Sequence, residues 1–138
     1  MFEQCLYFNT TALARQLERL WTSAFAPFDL TPPQAFLLRT ILDRPGLVQR
    51  ELAESMAISR PTATRALHGL VSKGLVERRG TDRDGREQSV HPTAPALALH
   101  AALNEASGKV TRRPKRQLGE EVFSETVRKV RAVRSALP

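Results

Sequence analysis

The stretch "ISRPTATRALHGLVSKGLVERRGTDRDGREQSVHPT", Ile58 to Thr93, decides the fold of this chain. Ser59 belongs to the residue types that cap helix N-termini, and a glycine such as Gly74 typically ends a helix. Between them the apolar residues recur at the spacing of one helical face. The predicted buried stripe consists of Ala63, Ala66, Leu67, Leu70 and Val71, and the opposite side carries Arg60, Thr64, Arg65 and His68. The pattern predicts an amphipathic helix with a basic exposed face.

A β-hairpin is predicted directly after this helix. The runs "LVERR" (75–79) and "EQSVH" (87–91) are short and strand-like. They flank "GTDRDGR" (80–86), whose glycines and aspartates favour a turn. The tip of the predicted hairpin is therefore crowded with arginine and aspartate.

Three helices are predicted upstream of this stretch. The first covers about Cys5–Phe25, where apolar residues recur at helical spacing. The second begins after Thr31, an N-cap residue followed by proline, and "PG" at 45–46 ends it. The third is short, about Gln49–Met56. The residues predicted to face inward are Phe36, Leu37, Ile41 and Leu42 in the second helix and Leu52, Ala53 and Met56 in the third.

Two more helical segments are predicted after Thr93. Alanine and leucine dominate the first, and Pro114 should break or kink it. The second covers about Glu120–Leu137. Its apolar seam consists of Phe123, Val127, Val130, Val133 and Leu137.

This order of elements predicts a mainly α (α+β) fold, a winged helix-turn-helix with additional helices at both ends. We expect one domain over residues 1–138, with the winged helix-turn-helix core at 30–92 and dimerisation helices at 1–28 and 93–138. A small winged core cannot cover the apolar stripes of the first and last helices. Those helices should therefore cover each other across the two-fold axis of a homodimer.

Composition restricts the possible partners and the cellular compartment. The formal net charge of +7 favours nucleic acid, an anionic membrane surface or an acidic protein as partner. Cys5 is the single cysteine, so an intrachain disulfide cannot form and a reducing compartment is expected. No signal peptide is recognisable, and no apolar run approaches the ~20 residues that span a bilayer. We expect a soluble, cytoplasmic protein that does not enter membranes.

Three motifs connect the chain to a known family. "DLTPPQAFLLRTI" (29–41) is similar to the leucine-threonine-x-x-glutamine opening of the second helix in the MarR family of bacterial transcription regulators. "LAESMAISRPTATRALHGLVSKGLVER" (52–78) resembles the family's helix-turn-helix and entry to the wing. In "DGREQSVHPT" (84–93), the family's D-x-R wing signature falls on Asp84 and Arg86, and its helix-capping threonine on Thr93. Pro92 and "APA" (94–96) depart from the family pattern.

The resemblance implies a homodimer that binds double-stranded DNA at an inverted-repeat operator, usually as a repressor, and that a small ligand releases. Residues at the start of the helix-turn-helix recognition helix reach base edges in the major groove. The resemblance places Arg86 in the minor groove with Asp84 orienting it, and the other wing arginines on phosphates. The predicted DNA-binding residues are Ser59, Arg60, Thr62, Thr64, Arg65, Arg78, Arg79, Arg83, Asp84 and Arg86.

Two alternatives to a ligand-released DNA-binding protein are an oxidant sensor and a winged-helix module that binds protein. Some members of the family sense organic hydroperoxides through a cysteine in helix one, so Cys5 is either an oxidant sensor or an inert thiol. The chain has no second cysteine, and Arg19 stands near the position of an expected partner tyrosine. A winged-helix module that binds protein without reading DNA is the other alternative, although it would not need Arg60 and Arg65 on the exposed face.

Enzymatic, metal-binding and cofactor-binding motifs are missing from the sequence. It contains no phosphate-binding glycine loop, no Gly-x-Ser-x-Gly and no His-Glu-x-x-His. The three histidines, His68, His91 and His100, lack a metal-ligand spacing, so we expect neither a metal nor a cofactor. A ligand cleft between the dimerisation helices and the winged core would be lined by Trp21, Phe25, Phe28 and Phe36, for which core packing is the competing interpretation.

Overall fold

The computed structural model describes residues 1–80 and 87–138 of the chain. The elements in chain order are α1 (Leu6–Phe25), a 3-10 turn (Ala26–Phe28), α2 (Pro32–Asp43), α3 (Gln49–Met56), α4 (Arg60–Ser72), β1 (Val76–Gly80), β2 (Gln88–Pro92), α5 (Ala94–Leu118) and α6 (Glu120–Ala136). This is the predicted winged helix-turn-helix with helices added at both ends.

The helix boundaries follow from capping residues that the sequence already displays. Thr31 Oγ1 accepts the Gln34 N–H at 3.3 Å, and Gln34 Oε1 accepts the Thr31 N–H at 3.1 Å, which forms a capping box before α2. Ser59 Oγ accepts the Thr62 N–H at 3.3 Å at the start of α4. After α4, Gly74 adopts a φ of +72°, a conformation that other residues rarely take. These predicted boundaries are confirmed.

One hydrophobic core joins the helix-turn-helix, the hairpin and the terminal helices. Leu52 of α3 and Leu67 of α4 are 1% exposed, and Val90 of β2 is also 1% exposed. Phe25 at the end of α1 and Leu103 in α5 are fully buried in the same cluster. The terminal helices are thus anchored to the winged core through the end of α1 and the first half of α5.

The hairpin is attached to the segment that joins α2 to α3. β1 and β2 pair antiparallel, with Arg79 opposite Ser89. Val48 forms an isolated bridge with Ser89, and Val90 exchanges backbone hydrogen bonds with Gly46 and Leu47 at 2.8 and 2.9 Å. These bonds set the direction of the wing relative to the helix-turn-helix.

The buried face of α2 differs from the prediction at Phe36. Its side chain is 36% exposed, whereas Leu38 is fully buried. The Phe36 ring lies beside Trp21 and Phe25 of α1, with centroids 5.1 and 6.0 Å apart. Phe36 therefore packs at the edge of the core, where α1 covers only part of the ring.

Pro114 was predicted to break or kink its helix, and the break does not occur. α5 continues through Pro114 to Leu118, and Gly119, with a φ of +87°, separates it from α6. A proline removes one backbone donor, so one hydrogen bond is lost in a helix of 25 residues. The flanking turns keep their own hydrogen bonds.

Thr93 stands at the N-cap position of α5, but its side chain makes no capping bond. Its hydroxyl donates to the Gly74 carbonyl at 2.7 Å, and its N–H donates to the Leu75 carbonyl at 3.0 Å. Thr93 therefore ties the start of α5 to the end of α4.

In the described ranges, no helix is both long enough and apolar enough to cross a bilayer.

Candidate nucleic-acid interface

The outer face of α4 presents two arginines. Ala63, Ala66 and Leu67 point into the core, and this turns Arg60 and Arg65 to solvent, as predicted. Within residues 1–80 and 87–138, neither guanidinium has a hydrogen bond or an ion pair. Both side chains are available to an anionic or hydrogen-bonding partner.

The hydroxyl groups at the start of α4 that were predicted to contact DNA already form hydrogen bonds within the protein. Ser59 Oγ caps the helix and lies 2.9 Å from Thr62 Oγ1. Thr64 Oγ1 donates to the Arg60 carbonyl at 2.9 Å and lies 2.5 Å from Gln49 Nε2. Gln49, at the start of α3, therefore belongs to this face, although the sequence reasoning missed it. The only feature of the sequence that could have indicated this role is a glutamine in the first turn of α3, the first helix of the helix-turn-helix.

A concavity of about 270 Å³ separates α4 from the wing. Arg60 lines it from α4, Gln49 and Arg50 line it from α3, and Arg78 and Glu87 line it from the hairpin. Arg50 Nη1 lies 3.4 Å from Glu87 Oε1, an ion pair that links α3 to the wing. The charged side chains that line the concavity are therefore mainly basic.

The two arginines of β1 project to opposite faces of the hairpin, as neighbouring strand residues do. Arg78 faces α4 across the concavity. Arg79 pairs with Glu77, whose Oε1 accepts from Nε at 3.0 Å and from Nη2 at 2.6 Å. Arg78 and Arg79 thus stand in different electrostatic settings. Arg83, Asp84 and Arg86, the predicted residues of the hairpin tip, lie outside the described residues.

The four aromatic residues of the predicted ligand cleft occupy three different environments. Phe25 is fully buried in the core. Trp21 and Phe36 line a cavity of about 520 Å³ between α1, α2 and α3, together with Met56. Phe28 lines a separate cavity of about 630 Å³ between α1 and α5. The four side chains therefore do not share one cleft.

Arg39 lies beside the aromatic cavity. Its guanidinium carbon is 5.6 Å from the Phe36 ring centroid, and Nε donates to Asn104 Oδ1 at 3.1 Å. Burial lowers the pKa of Arg39. The guanidinium thus packs against Phe36, one of the residues that line the cavity, whose polar lining consists of Glu18, Thr40 and Ser55.

Cys5 is an exposed N-cap residue of α1. Its sulfur accepts the Phe8 N–H at 3.5 Å, and Asn9 donates to the Cys5 carbonyl at 2.8 Å rather than to the sulfur.

His91 Nε2 lies 2.9 Å from Ser89 Oγ. Among the residues that the structure describes, no three His, Cys, Asp or Glu side chains are grouped to hold a metal ion.

Comparison with known proteins decides the family. A MarR family model matches residues 28–87, which cover the helix-turn-helix and β1 and end just before β2. HosA of Escherichia coli O111:H-, a transcriptional regulator, is 31% identical over 105 residues, which cover 74% of this chain and 78% of HosA. The chain belongs to the MarR family. This MarR protein is also 29% identical over 91 residues to YybA of Bacillus subtilis strain 168, an uncharacterized regulator of the helix-turn-helix type, and the match spans 66% of the chain and 61% of YybA.

Solved structures confirm the MarR fold over almost the whole chain. MepR of S. aureus in a DNA complex superposes with a TM-score of 0.88 at 20% identity, covering 98% of this chain and 100% of MepR. PcaV of Streptomyces coelicolor, in complex with its natural ligand, also gives 0.88 at 20% identity, covering 99% and 96%. Family membership identifies the chain as a transcription regulator, and HosA, YybA and PcaV are named as transcriptional regulators and not as enzymes.

Proposed function

We propose that this MarR protein acts as a homodimeric repressor that binds an inverted repeat in double-stranded DNA and is released by a small ligand. The observation that carries the proposal is the unpaired, exposed state of Arg60 and Arg65 on the outer face of α4. In a helix-turn-helix protein the second helix lies in the major groove, with its N-terminal residues at base edges. The DNA complex of MepR, which has the same fold, supports this role.

The predicted contact residues divide into groups with different parts in the proposed complex. Arg60 and Arg65 suit bidentate contacts to guanine in the major groove. Ser59 and Thr62, whose hydroxyls cap the helix, bring the backbone N–H groups of the first turn of α4 to a phosphate. Arg78, Arg79 and Arg83 neutralise phosphates, and Arg86 enters the minor groove, oriented by Asp84. Thr64 acts through Gln49, because its hydroxyl is already engaged.

Exposed apolar faces at both ends of the chain support the homodimer. Leu13 and Leu17 of α1 are 44% and 38% exposed, and Val127 and Val130 of α6 are 45% and 46% exposed. Apolar faces of this kind on monomers usually mark an interface. Pairing these helices across a two-fold axis would hold two α4 helices apart, as contact with successive major grooves ~34 Å apart requires.

The cavities beside α1 support release by a small ligand. Their volumes of about 520 and 630 Å³ suit a small, largely apolar molecule. A ligand there would shift α1 relative to α2. Lys73, at the end of α4, donates to the carbonyl of Asp29 in the turn that joins α1 to α2, so such a shift would reach α4. A small change in the spacing of the two α4 helices weakens both half-site contacts together.

Selection of binding sites from random duplex DNA tests the proposal. The purified wild-type protein should enrich an inverted repeat with half-site centres about 10 base pairs apart. The double variant Arg60→Ala, Arg65→Ala should remain a dimer and enrich no sequence. If the wild-type protein itself enriches no sequence, the proposal is wrong, and a winged-helix module that binds protein becomes the better interpretation.

A further inference from the structure

Gln49 is a side chain of the interface to which no direct contact with DNA has yet been assigned. It is the first residue of α3 and lines the concavity between α4 and the wing together with Arg60 and Arg78. Its Nε2 lies 2.5 Å from Thr64 Oγ1 on the outer face of α4. A side chain from outside α4 is thus held against the face that would enter the groove.

Thr64 determines which way the Gln49 amide points. The Thr64 hydroxyl has one proton, and it donates that proton to the Arg60 carbonyl at 2.9 Å. The hydroxyl can then only accept from Gln49, so the amide must turn its NH₂ group toward Thr64. The second N–H of that group and Oε1 remain for another partner.

In the described part of the chain, the Gln49 side chain has no other hydrogen-bond partner than Thr64. A glutamine amide that offers one N–H and one carbonyl oxygen matches the N7 acceptor and N6 amino donor of adenine in the major groove. We propose that Gln49 reads an adenine in each half-site and that Thr64 is the positioning residue that holds the amide in its reading orientation. This inference rests on the proposed function, because duplex DNA must lie against α4.

Four variants and one control variant in the same random-duplex selection test this assignment. Wild-type protein should prefer adenine at one position of each half-site. Gln49→Ala should keep the inverted repeat but lose roughly 5- to 150-fold of the preference at that position only. Gln49→Glu, which presents acceptors alone, should shift that preference from adenine to cytosine.

The Thr64 variants separate positioning from shape. Thr64→Val keeps the branched shape but removes the hydroxyl, so it should reduce the preference for adenine at the same position. Thr64→Ser keeps the hydroxyl and should preserve the preference. Gln117→Ala, a matched glutamine substitution at an exposed position in the last turn of α5, should leave every base preference unchanged.

Three outcomes would overturn the inference. An unchanged adenine preference in Gln49→Ala would remove Gln49 from base reading while leaving the DNA-binding function intact. A uniform loss of affinity for all sequences would make Gln49 a phosphate contact. If wild-type protein enriches no sequence, the proposed function fails first and the inference fails with it.

Discussion

The winged core and α6 differ in how their apolar residues are covered. In the core, Leu37, Leu38 and Ile41 of α2 are fully buried by other parts of the same chain. α6 has no buried residue, and Val133 and Leu137 of its seam are 40% and 60% exposed. The apolar side chains of the core are thus covered within the chain, whereas α6 has an apolar face that its own chain leaves to solvent. The proposed homodimer would supply the surface that covers this face.

The C-terminal part of the chain differs from the winged core in charge. Residues 107–138 contain nine of the 21 lysines and arginines but only three of the 14 aspartates and glutamates. Most of the net charge of +7 therefore lies in the terminal helices and not in the winged core. Some of it is balanced locally, since Glu125 lies 2.9 Å from Lys129 and 3.9 Å from Arg128. The overall basicity indicates a class of partner, while the uncovered arginines of α4 indicate where DNA would bind.

The largest expected effect comes from placing charge on the apolar seam of α6. Val127→Glu with Val130→Glu would put two carboxylates into the proposed dimer interface, where burial of unpaired charge is costly. We expect a monomer that keeps its helical content by circular dichroism and loses operator binding, because single half-site contacts are weak. Analytical ultracentrifugation at micromolar concentration measures the dissociation.

The matched control places the same charge on α6 at positions that are not part of the apolar seam. Ser124→Glu with Ser135→Glu adds two carboxylates at exposed positions of α6 and should leave the dimer intact. A wild-type protein that sediments as a monomer at micromolar concentration would contradict the homodimer and remove the reason for the exposed seam.

The next effect compares one substitution in both regions. Leu38→Ala removes a fully buried side chain and should lower the free energy of unfolding by about 2 to 5 kcal/mol. Leu137→Ala, at a seam position that is 60% exposed in the single chain, should lower it by less, because only contact with the proposed partner would cover that side chain. Urea denaturation followed by circular dichroism measures both values. Equal losses would show that Leu137, the C-cap residue of α6, is covered as completely as Leu38.

A smaller effect separates base reading from phosphate contact on the wing. Arg86→Ala, at the D-x-R motif outside the described residues, should weaken operator binding by about 1 to 3 kcal/mol. Arg79→Ala should weaken all sequences alike and reduce the slope of log affinity against log salt by about one. Fluorescence anisotropy at several salt concentrations distinguishes them. Operator affinity of Arg86→Ala equal to that of the wild type would refute the minor-groove role.

The smallest expected effect is at Cys5. Its sulfur accepts only a backbone N–H at 3.5 Å in the described part of the chain, and the chain has no second cysteine to form an intrachain disulfide. Cys5→Ser should bind operator like the wild type, and low micromolar organic hydroperoxide should leave wild-type binding unchanged. Release of wild-type protein but not of Cys5→Ser by the oxidant would establish redox sensing and contradict this prediction.

The sequence alone predicted the elements and their order. Caps such as Thr31 and Ser59, the glycine after α4 and the spacing of apolar residues act over one or two turns, so they are readable without tertiary contacts. The exposed face of α4 followed from the same spacing. Three motifs in the right order were enough to suggest the MarR family, which the comparisons confirmed.

Only the tertiary structure decided which polar and aromatic side chains are free to act. Phe25 and Phe36 both fit a helical stripe, but the crossing of α1 over α2 buries one and leaves the other at a cavity edge. Thr64 lies on the exposed face of α4, yet its hydroxyl is engaged by Arg60 and by Gln49, a residue of another helix. Helical periodicity reports the direction in which a side chain leaves its own helix. Its neighbours and hydrogen bonds depend on segments distant in sequence, which only packing brings together.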